Sequence, residues 1–569
     1  MTASHHSTVI LGGHGIIVMI LCLFYLFMPA ALQAQRSADD RIYLEHADNL
    51  SYDEYARRGV QIVKGNVRFR HAGTRLSCDS AYFNQEANSF EAFGHVRMLQ
   101  GDTLELVSDY ALYDGRPDVE MVYARKNVKV THRKTSVLTT DSLNLDRKFN
   151  FVYYAEGGTF VDKAKGVRLN SDWGRYDMNT KEARFFYDVT LKTKTHVITT
   201  DTLYYDSRIE RAQVVGMIED ENGGKKPSVI HSIADGYDVT TTNCYYYLNT
   251  DRAELFDHST IADATRTITG DSLYYDSGTS QSKGRGRVFY DDKKNKNRLT
   301  ADECEYNDAL GVGLATRNPV FVDYSQADTL YLHADTIRVK TFFINTDSMY
   351  REVYCYNKVR VYRNDVQAVC DSLVLCSRDS SMTMHVGPVV WNMGRQLSGK
   401  TITVYMNDST IREAVVEGDA LSAELMSDGE HYNQIASKQM NAYFTDGVLR
   451  KCEAKGNVQT IYYPMDDKDS TLIGLNYLET DTLRMYLDEQ RTLEKIWASK
   501  SDVVLYPMTQ IPPSSEYLPS FGWFDFLRPR HKDDIYFIPG VHDQPRTTAA
   551  ATSRAGSLLS ASGSKGGGR

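Results

Sequence analysis

Proline and tryptophan are the scarce residues of this 569-residue chain, at 13 and 4 against 38 Tyr. So little proline leaves few breaks in a backbone ladder, and Tyr, Thr and Val favour half-exposed pleated strands, so composition leans towards β. An excess of basic charge is also missing. The formal charge of −9 removes the global footprint of a nucleic-acid binder, and no nucleic-acid partner is expected. It also argues against broad attraction to anionic headgroups, so an anionic lipid would have to be held by apolar contacts. Beyond the N-terminus no segment is apolar for long enough to span a bilayer.

Paired cysteine spacing is absent too. Seven cysteines follow the N-terminal segment, at positions 78, 244, 304, 355, 370, 376 and 452, with no C-x-x-C. An odd, scattered set excludes a disulfide framework or a zinc site by pattern. Cys304 and Cys370 fall inside a repeated strand pattern, where a small buried hydrophobe is the better reading. A Walker loop, H-E-x-x-H, G-x-S-x-G and the dinucleotide fingerprint are all missing, and the 15 His show no ligand spacing. No catalytic residue, cofactor or metal site is expected, and the chain reads as a non-enzyme.

The N-terminus carries an apolar run, Ile16 to Phe27, followed by Met28-Pro-Ala-Ala-Leu-Gln-Ala34. Residues 1–34 read as an export signal with Ala34 as the cleavage residue, or as an uncleaved anchor, since the run is short and no Lys or Arg precedes it. Residues 35–41 read as a linker.

What the chain has in abundance is one phrase, restated. It occurs as Leu76-Ser-Cys-Asp79, Leu106-Val-Ser-Asp109, Leu138-Thr-Thr-Asp141, Leu169-Asn-Ser-Asp172 and Ile198-Thr-Thr-Asp201, and later at Asp271, Asp302, Asp335 and Asp371. The first five Asp anchors are 30, 32, 31 and 29 residues apart. A fixed period of this size means stacked supersecondary units. Between the anchors lies a second phrase, Gly or Asn shortly before Val, as in Gly65-Asn-Val67, Gly94-His-Val96, Asn357-Lys-Val359 and Gly456-Asn-Val458. Turn-prone stretches such as Asp114-Gly-Arg-Pro-Asp118 separate the two, so each unit holds two extended segments.

Alternation adds a bend. Around Asp141 the apolar residues are Leu138, Leu143 and Leu145, at −3, +2 and +4. Positions −3 and +2 have opposite parity, so a regular strand cannot point both inward. A bulge or corner at the Asp repairs the phase, with the Asp bonding local backbone N–H groups. The expected fold is all-β: an elongated open β-jelly roll of stacked two-strand repeats about 30 residues long. The array is regular over 42–396 and continues in degenerate form over 397–507. Residues 508–569 change to a Pro/aromatic stretch and then a basic Ser/Ala/Gly-rich end, read as a disordered tail.

The grammar "Gly-x-Val … Leu-x-x-Asp-x-Leu-x-Tyr-Asp" behind an export signal resembles the OstA/LptA-like lipopolysaccharide-transport family. The clearest stretch is Gly65 to Asp114. The resemblance implies a periplasmic protein whose apolar groove shelters the acyl chains of lipopolysaccharide or a related lipid. It also implies membrane-anchored and outer-membrane β-jelly-roll partners, and end-to-end self-association. The chain is much longer than the small periplasmic bridge protein of that family and too short to carry its outer-membrane barrel. The inward residues expected to line the groove are Val67, Phe69, Phe83, Ala92, Val96, Met98, Leu104, Leu106, Ala111, Tyr113, Leu143, Leu145, Leu203 and Leu273. Readings of a different class are a secreted β-solenoid polysaccharide-degrading enzyme and an adhesin or scaffold.

Overall fold

A computed structural model describes residues 41–536, apart from the short segments 53–57, 72, 102–103, 117–118, 133, 164–165, 207, 220–221, 248, 251, 393, 408–409, 467–470 and 491–492. The export signal and most of the linker lie outside the described residues, as does the end of the tail from 537 on. The chain divides into two compact units, 1–285 and 286–569. This boundary falls inside the array read as regular, and strands continue through Pro507. Among the described residues the fold is all-β, with four short 3-10 turns near the C-terminus.

Within each unit consecutive strands run antiparallel and bend in the middle, so every rung belongs to two limbs. In the strand Gln61–His71, residues Gln61 to Lys64 pair with Phe83 to Ser80, and Val67 to His71 pair with Cys78 to Thr74. Phe69 and Leu76 lie on limb A, and Val63 and Phe83 on limb B. Where the bend interrupts the ladder, one rung appears as two short strands, as in Phe151–Tyr154 with Gly158–Asp162.

The bend has two parts. On one rung a pair of residues takes the left-handed conformation: Gly65 and Asn66 at φ 81° and 48°, Gly94 and His95 at 73° and 42°, Asn357 and Lys358 at 62° and 54°. This is the Gly/Asn-before-Val phrase, and glycine or asparagine meets that backbone at least cost. Each pair faces a single residue of the next rung: Gly65–Asn66 faces Asp79, Gly94–His95 faces Asp109, and Asn357–Lys358 faces Asp371. The two-against-one count is a β-bulge. The parity argument therefore located the bend, but the extra residue sits on the strand beside the Asp. Several of the Asp side chains bond across strands, while Asp201 accepts from the neighbouring Thr202 hydroxyl at 2.7 Å. Asn66 Nδ2 donates to Asp48 at 2.9 Å and Asn127 Nδ2 to Asp109 at 2.6 Å, while His95 Nδ1 lies 2.7 Å from Asp79.

Inside the bend, immediately before each Asp, stands a small buried residue: Cys78, Ser108, Thr140, Thr200, Ala301, Ala334. The hydroxyls among them reach over the corner. Thr140 Oγ1 lies 3.2 Å from Ser142 O and 2.6 Å from Gly157 O, and Ser108 Oγ donates to Tyr110 O at 3.0 Å. The buried oxygens are thereby satisfied. Since the Asp109–Asn127 contact is one cross-strand hydrogen bond, removing either side is expected to cost about 1 kcal/mol. A double-mutant cycle of Asp109→Ala and Asn127→Ala, read by urea unfolding, should recover most of that as coupling. Full additivity would deny the contact any energetic role.

Residues 508–536, read from sequence as part of a disordered tail, are instead an ordered strap on limb A of the second unit. They contain the turns Met508–Gln510, Pro513–Ser515, Asp525–Leu527 and Lys532–Tyr536. Two fully buried glutamines clamp the strap backbone. Gln434 donates to Glu516 O and accepts from Leu518 N, both at 2.9 Å; Gln396 donates to Gly522 O and accepts from Phe524 N, both at 2.7 Å. Arg360 donates to Leu527 O and Asp534 O, and Phe524 packs with Trp391 and Val389. These residues point away from the face that carries Leu332, Val361, Ala368 and Leu397, so the strap covers the outside of limb A. Gln396→Ala would orphan a buried carbonyl and a buried N–H. It is expected to cost about 1–3 kcal/mol and to expose amides 518–527 to rapid hydrogen exchange.

Candidate functional site

The inner faces of the two limbs carry the main apolar clusters among the described residues, and the two units use them differently. In the first unit nearly all inner side chains are buried in a single cluster. Of the residues expected to line a groove, Val67, Phe69, Phe83, Ala92, Val96, Met98, Leu106, Ala111, Tyr113, Leu143, Leu203 and Leu273 belong to this core, and Leu104 and Leu145 pack against it half-buried. The structure brings them together as a closed interior. The cause is side-chain size. The row of limb B nearer the strand ends opens with three consecutive aromatics, Phe83–Phe90–Tyr113–Val122, and later alternates aromatic with small, Tyr176–Ala183–Tyr205–Ala212. Its rings reach the other limb. Phe69 of limb A stacks on Phe90 at 4.4 Å, and Phe90 on Tyr113 at 5.3 Å. At the rim the Tyr113 hydroxyl lies 2.5 Å from His71 Nδ1 of limb A and 2.6 Å from Arg147 Nη1. The cavity among Leu138, Leu143, Phe160, Tyr176 and Phe185 has about 30 Å³, room for a water and not for an acyl chain.

In the second unit the corresponding rows hold mainly aliphatic and sulfur side chains, and many of them stay partly exposed although Leu332, Val361, Ala368, Val404 and Ala414 are buried. Along limb A one unbroken cross-strand row runs Leu299–Phe321–Leu332–Val361–Ala368–Val390–Leu397–Ser422–Ile435–Thr460–Leu478–Val503. Along limb B the row nearer the strand ends runs Val339–Val353–Leu375–Met382–Val404–Ala414–Ala442–Cys452–Met485–Ile496. Leu299, Phe321, Val353, Leu375, Met382, Val390, Leu397, Met406, Met440 and Phe444 are only partly buried, packing against a floor of Ile337, Cys355, Leu373, Met384 and Ile402. The result is a trough: a closed apolar floor at the bend and half-open apolar walls. Thioether side chains let such a wall adapt to its contents.

The trough is chemically quiet. Its cysteines are unpaired, and burial pushes the thiols of Cys355 and Cys452 up to about 12 and about 11, so they stay protonated and act as small hydrophobes. The trough residues went unnoticed in the sequence because both units share one alternation. The available signal was the exchange of aromatic residues for Met, Val and Leu after Gly286. The last strands, Leu493–Ala498 and Ser501–Pro507, keep Ile496, Val503 and Leu505 at 54%, 55% and 66% exposure. The strap therefore leaves their apolar side chains uncovered.

Residues 39–201 match the OstA-like protein family, which agrees with the resemblance read from the repeat. The match falls within the first unit and includes the stretch Gly65 to Asp114. No curated protein matches the chain.

Proposed function

We propose that this OstA-like chain is a non-catalytic lipid carrier of the periplasm that holds the acyl chains of lipopolysaccharide, or of a related lipid, in the trough of its second unit. The observation that carries the reading is the pair of continuous, largely apolar rows from Leu299 to Val503 and from Val339 to Ile496, in which Leu299, Phe321, Val353, Leu375, Met382, Val390 and Leu397 are only partly buried. Each methylene kept from water is worth about 0.8 kcal/mol, so a multi-chain lipid needs an unbroken apolar path between membranes. Stacked rungs supply near-equal sites along that path, with no deep trap to stop the lipid.

Membrane-anchored and outer-membrane β-jelly-roll proteins are the partners this role calls for. The exposed side chains at both ends of the array, Leu50 and Tyr52 in the first strands and Val503 and Leu505 in the last, are where strand addition would continue the sheet. The groove residues expected from sequence, Val67 to Leu273, reach a lipid only when the limbs of the first unit part. Mass spectrometry of protein purified from its native envelope tests the proposal. Stoichiometric acylated lipid is the expected result, and lipid-free protein that takes up none from envelope extracts would overturn it.

A further inference from the structure

The outer face of limb B in the first unit carries a second ordered pattern, on the side of the sheet away from the core. One cross-strand row reads Tyr204–Gln213–Tyr245–Glu254–Tyr274–Lys283. Aromatic and hydrogen-bonding side chains alternate rung by rung, and all six are half-buried. Neighbouring tyrosines in the row are two rungs apart, about 9.5 Å. At the head of the row the face sinks into a depression of about 320 Å³, lined by Glu182, Arg184, Tyr204, Asp206, Arg211 and Gln213. That is the size of a small-ligand site.

We infer that this lane binds a neutral glycan chain, with sugar rings stacked on Tyr204, Tyr245 and Tyr274 and hydroxyls bonded by the side chains between them. Three features select this ligand class. The rings already attract positive charge to their faces: the Arg211 guanidinium lies 4.9 Å from the Tyr245 centroid and that of Arg184 5.9 Å from Tyr204. The same ring quadrupole attracts the polarised C–H face of a pyranose. The depression offers both signs of charge in paired form: Arg184 bonds Glu182 at 3.2 Å within it, and Asp206 pairs with Arg208 just outside it at 3.0 Å. Neither an anion nor a cation is favoured there, whereas a polyhydroxylated ligand can donate to the carboxylates and accept from the guanidiniums. The regular two-rung repeat also suits a polymer better than a single small molecule. The lane is on the outer face, so this inference stands independently of the lipid in the trough.

Titration calorimetry of the full chain with cellohexaose and chitohexaose at physiological salt tests it. Binding of at least one in the millimolar range or tighter is expected. Tyr204→Ala and Tyr245→Ala should each weaken it about tenfold, whereas Tyr204→Phe keeps the stacking surface and should bind nearly as the parent does. Lipid content should be unchanged in all three. Failure of both sugars to bind, or alanine variants that bind as the parent does, overturns the inference. So does retention on heparin alone that vanishes at physiological salt, which would mark charge adsorption.

Discussion

A glutamate at Leu397 or at Leu375 is expected to strip the protein of its lipid and leave it folded. The two residues stand on opposite limbs of the second unit, both half-buried and both in the continuous rows of the trough. A carboxylate there can stay hydrated while the trough is empty, so folding pays little. Once an acyl chain lies against it, the charge loses water without gaining a partner, at a cost of several kcal/mol. Bound lipid should fall by more than about tenfold for each variant. Thr403→Glu, on limb B of the same unit but facing outward beside Thr383, should keep its lipid. If the Leu397 and Leu375 variants co-purify with lipid as the parent does, the trough is not the binding site.

The second large effect lies in the first unit and concerns stability. Phe69 is 1% exposed and packs against two rings, Phe83 at 5.4 Å and Phe90 at 4.4 Å, and Phe90 in turn stacks on Tyr113. Phe69→Ala removes the ring that joins the limbs and leaves a cavity that the flanking sheets cannot close. A loss of about 3–5 kcal/mol is expected, read as faster amide exchange across 61–114. Phe69→Leu should recover more than half of it. If exchange across 61–114 is unchanged in Phe69→Ala, the limbs are held by other contacts.

The periodicity of Asp79, Asp109 and Asp141 and the parity break around each were enough to read an all-β stack of bent strands. They reveal a geometry that depends only on neighbours along the chain and across one ladder. Two other features depend on more. The strand carrying the bulge is set by which backbone takes the left-handed pair, and Gly94–His95 beside Asp79 offers the same local signal whichever strand is assigned. Closure of the interior depends on sums of side-chain volume across the two limbs, as where Phe69 meets Phe90. Alternation alone makes Leu106 and Leu397 look alike, although one is core and the other is trough wall. The strap was illegible for a related reason. Its order comes from Gln434, Gln396 and Arg360, polar residues on strands far away in sequence, and not from any pattern within 508–536.

The alternation of rungs in the bends, left-handed pair on one and Asp on the next, also constrains how such a chain can change length. A left-handed pair needs a single opposing residue beside it, and the Asp needs a pair. Losing one rung would set like against like and reverse the inward face of every residue beyond the join. Losing or gaining two rungs restores both relations at once. Insertions and deletions within the array should therefore be accepted in steps of about 30 residues, the repeat measured from Asp79 to Asp109, and rejected at half that length.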